Sequence, residues 1–234
     1  MTMIIDLSAE ALAFGESARQ VIEGAGEGDL EAALAKLGAW DLDPRADGDD
    51  LEAAAALCRA AGYCACTYPL AERLARAEDP LDPLGLMLPC WTLLGMLDRA
   101  IDLTIEHVKA RQQFGQPLSA FQGVQFQLTE AEVERAGADI LAKYALWSIQ
   151  EGSPEATRDA LALRMAALEA AEIVFRVAHQ LHGAMGFCDE TPLSWLSRYS
   201  QPLRRAPFGL SKTRALLTGQ IGRRGLTGLF HDYS

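Results

Sequence analysis

The stretch Arg111-Gln-Gln-Phe-Gly-Gln-Pro-Leu-Ser-Ala-Phe-Gln-Gly-Val-Gln125 decides how this chain is read. Gly115 and Pro117 mark a tight turn. Upstream of it, Leu84, Leu88, Trp91, Leu94, Ile101, Ile105 and Val108 recur at steps of three, four or seven residues, which is one apolar stripe on a helix. Downstream, Val124, Leu128, Ile140, Tyr144 and Trp147 fall on one face of a second helix, expected to point inward and to run to about Gln150. Ser119 and Gln122 have the spacing of a capping box at its start. The turn therefore joins two long helices and gathers Arg111, Phe114, Gln122 and Gln125 at one end of them.

The same grammar extends outward. Ser8 is a candidate N-cap for a helix reaching about Gly24, and Asp29 for a second one from Leu30 to about Leu37. Asp41–Asp50 holds Pro44, Gly48 and five aspartates and reads as a polar loop. Leu51–Gly62 and Tyr68–Ala75 resume helical spacing. Ala77–Pro83, with two prolines and three acids, reads as a linker. Ser153-Pro154 signals a third long helix ending near Leu181, Thr191-Pro192 a shorter one, and Leu210–Ile221 a last. No alternating run is long enough to name a strand. The expected fold is all-α: an up-and-down bundle of long helices over 83–234, preceded by a smaller helical domain over 1–82.

Composition agrees. Half of the 234 residues are hydrophobic, yet there are only six valines and nine isoleucines, so alanine and leucine carry the apolar content and favour helix. The net charge of −11 resides in residues 1–82, with 17 acids against 6 bases; the remainder balances at 15 of each. Such a surface lacks the basic footprint that nucleic-acid binding needs. Arg198, Arg204, Arg205, Lys212, Arg214, Arg223 and Arg224 form a basic run without an acid, which suits a solvated face, a phosphate-rich ligand or an acidic neighbour. The five cysteines have no metal-ligand or redox spacing and read as reduced thiols. With no secretory pattern and no apolar stretch long enough to span a bilayer, since Leu84–Leu97 is short and contains Pro89, the expected location is cytoplasmic.

The motif Arg111-x-x-Phe114-Gly-x-Pro-Leu-x-x-Phe-Gln122-x-x-Gln125, followed by Gln180-Leu-His-Gly183-Ala184-Met-Gly186-Phe187, resembles the two flavin-contacting motifs of the acyl-CoA dehydrogenase family. Residues 83–234 look like that family's C-terminal helical domain; Leu34–Gly38 and Ala54–Pro69 resemble its first helical domain. The resemblance implies that Arg111 and Phe114 reach across a subunit interface to the pyrophosphate and adenine side of a partner's FAD, with Gln122 and Gln125 nearby. It also implies that Gln180 and the amides of Gly183 and Ala184 touch the same pyrophosphate. Ala184 stands where the family usually has glycine. His182 reads as a core or interface histidine.

Two family features are missing. The β domain that lies between the helical domains has no counterpart, because the linker runs straight into the first long helix. The glutamate that removes the substrate's α-proton falls on Pro207 or Phe208 in one family arrangement and near Gly85 in the other. The implied role is a subunit of a heteromeric, FAD-dependent acyl-CoA dehydrogenase with no catalytic residue of its own. A full-length paralogue, in a heterodimer or heterotetramer, would supply the base and most of the site for acyl-CoA, a steroid-derived ester being the favoured class. The alternative is a flavin-free scaffold or regulatory binding protein on the same helical fold. Neither membrane nor metal is implied.

Overall fold

The computed structural model describes residues 6–25 and 29–221. Four helices, α1 (Ala9–Gly24), α2 (Leu30–Lys36), α3 (Gly48–Tyr63) and α4 (Leu70–Ala75), precede the long α5 (Pro83–Ala110), α6 (Gln122–Gln150) and α7 (Ala156–His182). Then come α8 (Pro192–Arg205) and α9 (Leu210–Ile221). The all-α class holds. The described strands are β1 (Gln112–Gln113) and β2 (Gln116–Pro117), which pair antiparallel with Gln113 opposite Gln116 and form the hairpin between α5 and α6.

Several helix starts differ from the sequence reading, each for a local reason. Ser8 caps α1 by accepting from Ala11 N, as expected. Asp29 precedes α2 but its side chain makes no cap bond. The acidic loop ends earlier than Asp50, because the Asp47 carboxylate accepts from the amides of Asp49 and Asp50 and starts α3 at Gly48. Ser119 and Gln122 do not form a capping box: Leu118–Ala120 is a 3-10 turn, Phe121 occupies the N-cap position, and Gln122 is already the first helical residue. Ser153 accepts from Glu155 N, and α7 begins only at Ala156. Pro192 does open α8, although the Thr191 hydroxyl donates to Met185 O instead of capping.

α5 is the central element. It runs unbroken through Pro89 and is long and apolar enough to cross a membrane by length and composition, but most of it is buried inside the fold. Its stripe packs against α3, α6 and α7 in one hydrophobic cluster that extends from Ala18 to Leu196 and crosses the 82/83 boundary without a break. α3 and α5 cross in backbone contact. A Cβ placed on Gly62 would stand 1.8 Å from Thr92 O, and one on Gly95 would stand 1.9 Å from Arg59 O. Only glycine permits that approach. Beside the crossing, Arg59 of α3 bridges Asp98 of α5 at 2.7 Å and Asp139 of α6, while Arg135 reaches Asp98 at 3.2 Å.

α6 departs from the expectation for its inward face. Ala131, Ala138, Ala142, Ala145 and Leu146 are buried, whereas Ile140 is 62% exposed and Tyr144 and Trp147 are only half-buried. The small alanines let α6 lie close on α5 and α7; Val124 and Leu128 pack against the core as expected, and Ile140 is turned outward.

Candidate functional site

The α5–α6 hairpin stands at one end of the bundle. Arg111 ends α5: its amide donates to His107 O at 2.8 Å, and its carbonyl accepts from Leu118 N at 2.9 Å, which closes the loop. The side chain is exposed and forms no ion pair with any described carboxylate. Phe114 occupies the tip with φ +54° and is 91% exposed; its only ring neighbour among the described residues is Phe121, edge-on at 6.2 Å. A phenylalanine held in the left-handed region costs about 1 kcal/mol or more. Gln122 is exposed in the first turn of α6. Gln125 is exposed as well, and its amide donates to Ser119 O at 2.9 Å, bracing the 3-10 turn.

The second motif ends α7. Gln180 is exposed, Gly183 ends the helix with φ +61°, and Ala184 lies exposed in the 3-10 turn Gly183–Phe187. No atom lies within 4 Å of the position a Gly183 Cβ would take. Histidines join the two motifs. The His107 and His182 rings stack at 4.4 Å, and His182 Nδ1 donates to Ala178 O at 2.8 Å. His179 stacks on Phe187 at 4.4 Å. The ends of α5 and α7 are thereby clamped together, so the structure brings Arg111 and Gly183 to the same end of the bundle.

A guanidinium fork, an exposed aromatic face and an open glycine turn suit a nucleotide pyrophosphate and its adenine. These residues fit the outer part of a dinucleotide such as FAD. Among the described residues no group of three or more His, Cys, Asp or Glu side chains could hold a metal.

The two positions where the resemblance looks for a base meet elsewhere. Gly85 and Pro207 line one cavity of about 330 Å³, together with Pro89, Leu203 and the acidic residues Glu78 and Asp79. Gly85 has no room for a side chain, since its Cβ would lie 2.5 Å from Ala77 Cβ. Asp82 is committed to structure: it caps α5 by accepting from Gly85 N at 2.7 Å and pairs with Arg45 at 3.0 Å. The chain from Ala206 to Phe208 is held by Arg164, a buried guanidinium on α7 that donates to the carbonyls of Leu203, Ala206 and Phe208. Sequence reasoning passed over Arg164. The available signal was an arginine on the buried stripe of α7, between Leu163 and Ala167.

The basic run is less bare than its sequence. Arg198 pairs with Asp189 and lies 4.1 Å from the Trp195 ring centroid, and Arg214 pairs with Glu169. Arg205 and Lys212 form no ion pair among the described residues, and burial lowers the pKa of Arg204. Arg223 and Arg224 lie outside the described residues. All five cysteines are free; burial pushes the Cys58 thiol up to about 12 and those of Cys64 and Cys90 up to about 11, which makes them poor nucleophiles.

Comparison with known proteins gives this geometry a family. The model for "Acyl-CoA dehydrogenase, C-terminal domain" matches residues 87–209, just over half of the chain. A probable acyl-CoA dehydrogenase, FadE2 of Mycobacterium tuberculosis, is 34% identical over 131 residues, covering 56% of this chain and 32% of that protein. Among solved structures, butyryl-CoA dehydrogenase from Megasphaera elsdenii matches with a TM-score of 0.57 and 27% identity over 59% of this chain and 36% of that one. A chain described as the Tcur3481-Tcur3483 steroid ACAD matches with a TM-score of 0.78 over 92% of this chain and 98% of that one; at 15% identity this likeness is one of fold. The chain spans between about a quarter and a third of the length of the curated relatives it matches. With the helical bundle, both motifs and the family match in agreement, the chain belongs to the acyl-CoA dehydrogenase family.

Proposed function

We propose that this chain is a subunit of a heteromeric acyl-CoA dehydrogenase and contributes the outer half of an FAD site to a full-length paralogue. The observation that carries this reading is Phe114, an almost fully exposed ring near Arg111, which forms no ion pair among the described residues. The two-residue loop Phe114–Gly115 takes positive φ at both positions, as a tight antiparallel hairpin requires, and it leaves the phenyl ring standing in solvent. A flavin held by the partner would cover that ring, with Phe114 against adenine, Arg111, Gln122 and Gln125 toward the pyrophosphate, and Gln180 with the amides of Gly183 and Ala184 on its other side. When bound, the flavin is the acceptor of the electrons removed from the acyl-CoA.

The proton-removing carboxylate and the β domain belong to the partner in this proposal. Here α4 reaches α5 through Arg76–Asp82 alone, and the family's base positions carry Gly85, Pro207 and Phe208. The substrate class is an acyl-CoA thioester, with a steroid-derived ester favoured because the solved chain that matches end to end is described as a steroid ACAD. The setting is the cytoplasm. The test is the flavin absorption of the chain purified alone and with a co-expressed paralogue. Flavin present only in the complex supports the proposal; a stoichiometrically yellow chain on its own overturns it.

A further inference from the structure

Three of the four histidines in the chain, His107, His179 and His182, stand at the end of the bundle that carries Arg111 and the Gly183 turn. Two phenyl rings would clamp the helix ends as well, without groups that titrate near neutral pH. His107 and Arg111 are four residues apart and leave the same face of α5, because the Arg111 amide still donates to His107 O at 2.8 Å in the helical pattern. The His107 ring makes no hydrogen bond among the described residues. His182 stacks on it at 4.4 Å and is only 9% exposed. Its Nδ1 is bonded to Ala178 O, so a proton that it gains goes to Nε2.

The surroundings supply no counter-charge. From Gln112 to Thr129, through the hairpin, the 3-10 turn and the first two turns of α6, there is no Asp, Glu, Lys, Arg or His. The turn Gly183–Phe187 has none either, and Asp189 beyond it pairs with Arg198. On α7, His179 stacks on Phe187, and Arg176 pairs with Glu130. On α5, Glu106 and Lys109 are exposed on the other sides of the helix. Arg111 and the stacked rings are thus cationic or able to become so, with no described carboxylate paired to any of them. Burial lowers the pKa of all three histidines, and Arg111 lowers that of His107 further. An anion bound by Arg111 reverses the second effect, since it cancels the arginine's field and adds a negative one.

We infer that the His107–His182 stack takes up one proton when a nucleotide pyrophosphate occupies the Arg111–Gly183 end of the bundle, so that dinucleotide affinity rises as the pH falls through the neutral range. This inference rests on the flavin reading above. One proton enters and not two, because imidazolium rings 4.4 Å apart repel each other. It comes from the solvent and adds to a ring nitrogen, and no covalent bond of the ligand changes. Binding and protonation are linked, so each favours the other by the same factor.

The test titrates FAD, whose pyrophosphate keeps one charge state over the range, onto the flavin-free full chain and onto its flavin-free complex with the co-expressed paralogue, at about pH 6 and about pH 8. FAD should bind about three- to tenfold more tightly at the lower pH, a single linked proton giving at most about tenfold per pH unit. Calorimetry in two buffers of different ionisation enthalpy should count a net proton uptake. His107→Gln should bring the two affinities within about twofold of each other, whereas His179→Gln, which leaves the stack in place, should keep the parent's dependence. Equal affinity at the two pH values, a dependence that survives His107→Gln, or one that only His179→Gln removes overturns this inference and leaves the flavin reading standing. A failure of both forms to bind FAD at either pH overturns the two together.

Discussion

The imidazoles of His107 and His182 stack with centroids 4.4 Å apart and planes 22° from parallel. They stand one turn before Arg111 and immediately before Gly183, so the stack holds the turns of the two motifs at one end of the bundle. Burial lowers the pKa of both rings and of the nearby His179 below the usual 6.5, and for His107 the neighbouring His182 and Arg111 lower it further.

These histidines make stability depend on pH. Each has a folded-state pKa below its unfolded value, so its contribution is present above about pH 6.5 and is lost as the pH falls through that value toward the depressed one. The melting temperature, followed from about pH 7.5 to pH 5, should fall more steeply in the parent than in His107→Gln. Parallel curves for the two proteins would show that the stack does not titrate.

Arg164 should be a structural keystone of the α8–α9 connection. Its guanidinium serves three carbonyls in a buried place. Arg164→Met fills much of the volume but leaves those acceptors without a donor, and urea unfolding should show a loss of about 2–4 kcal/mol. A loss below about 0.5 kcal/mol would mean that water replaces the donor without cost.

Arg111→Ala should leave the free chain's stability nearly unchanged, because the side chain is exposed and pairs with no described carboxylate. In the assembled complex it should weaken FAD binding about ten- to a hundredfold, the worth of a charge-assisted contact to pyrophosphate. Flavin retention on dilution reads the effect, and unchanged retention would leave the motif a purely structural role.

Asp82→Asn separates structure from catalysis near the cavity of Gly85 and Pro207. Asparagine keeps the N-cap, so the expected cost is that of a partly exposed ion pair with Arg45, about 1 kcal/mol or less. Flavin reduction by saturating acyl-CoA in the complex should stay within about twofold of the parent, since removal of a true general base costs about 10²–10⁴-fold. A loss of that size with flavin still bound would place a base on this chain.

Sequence by itself determined the helical class, the long helices and the turn between α5 and α6, because apolar periodicity and turn residues are local properties. Arg111, Phe114 and the glycine turn at Gly183 were legible through their motif. The exact helix starts were not: the Asp47 carboxylate accepts from Asp49 N and Asp50 N and opens α3 inside the expected loop, the 3-10 turn Leu118–Ala120 leaves Phe121 at the N-cap position instead of Ser119, and α7 begins at Ala156, beyond Ser153. Periodicity placed Ile140 on an inward face, and the structure turns it outward: the alanines of α6 take the close contact, because only small residues let it lie close to α5 and α7. Tertiary structure alone set His107 against His182, brought Glu169 to Arg214, put Gly85 and Pro207 in one cavity, and closed the α3–α5 crossing at Gly62 and Gly95. Each of these depends on segments far apart in the chain, and no local pattern encodes which distant surface a residue will meet.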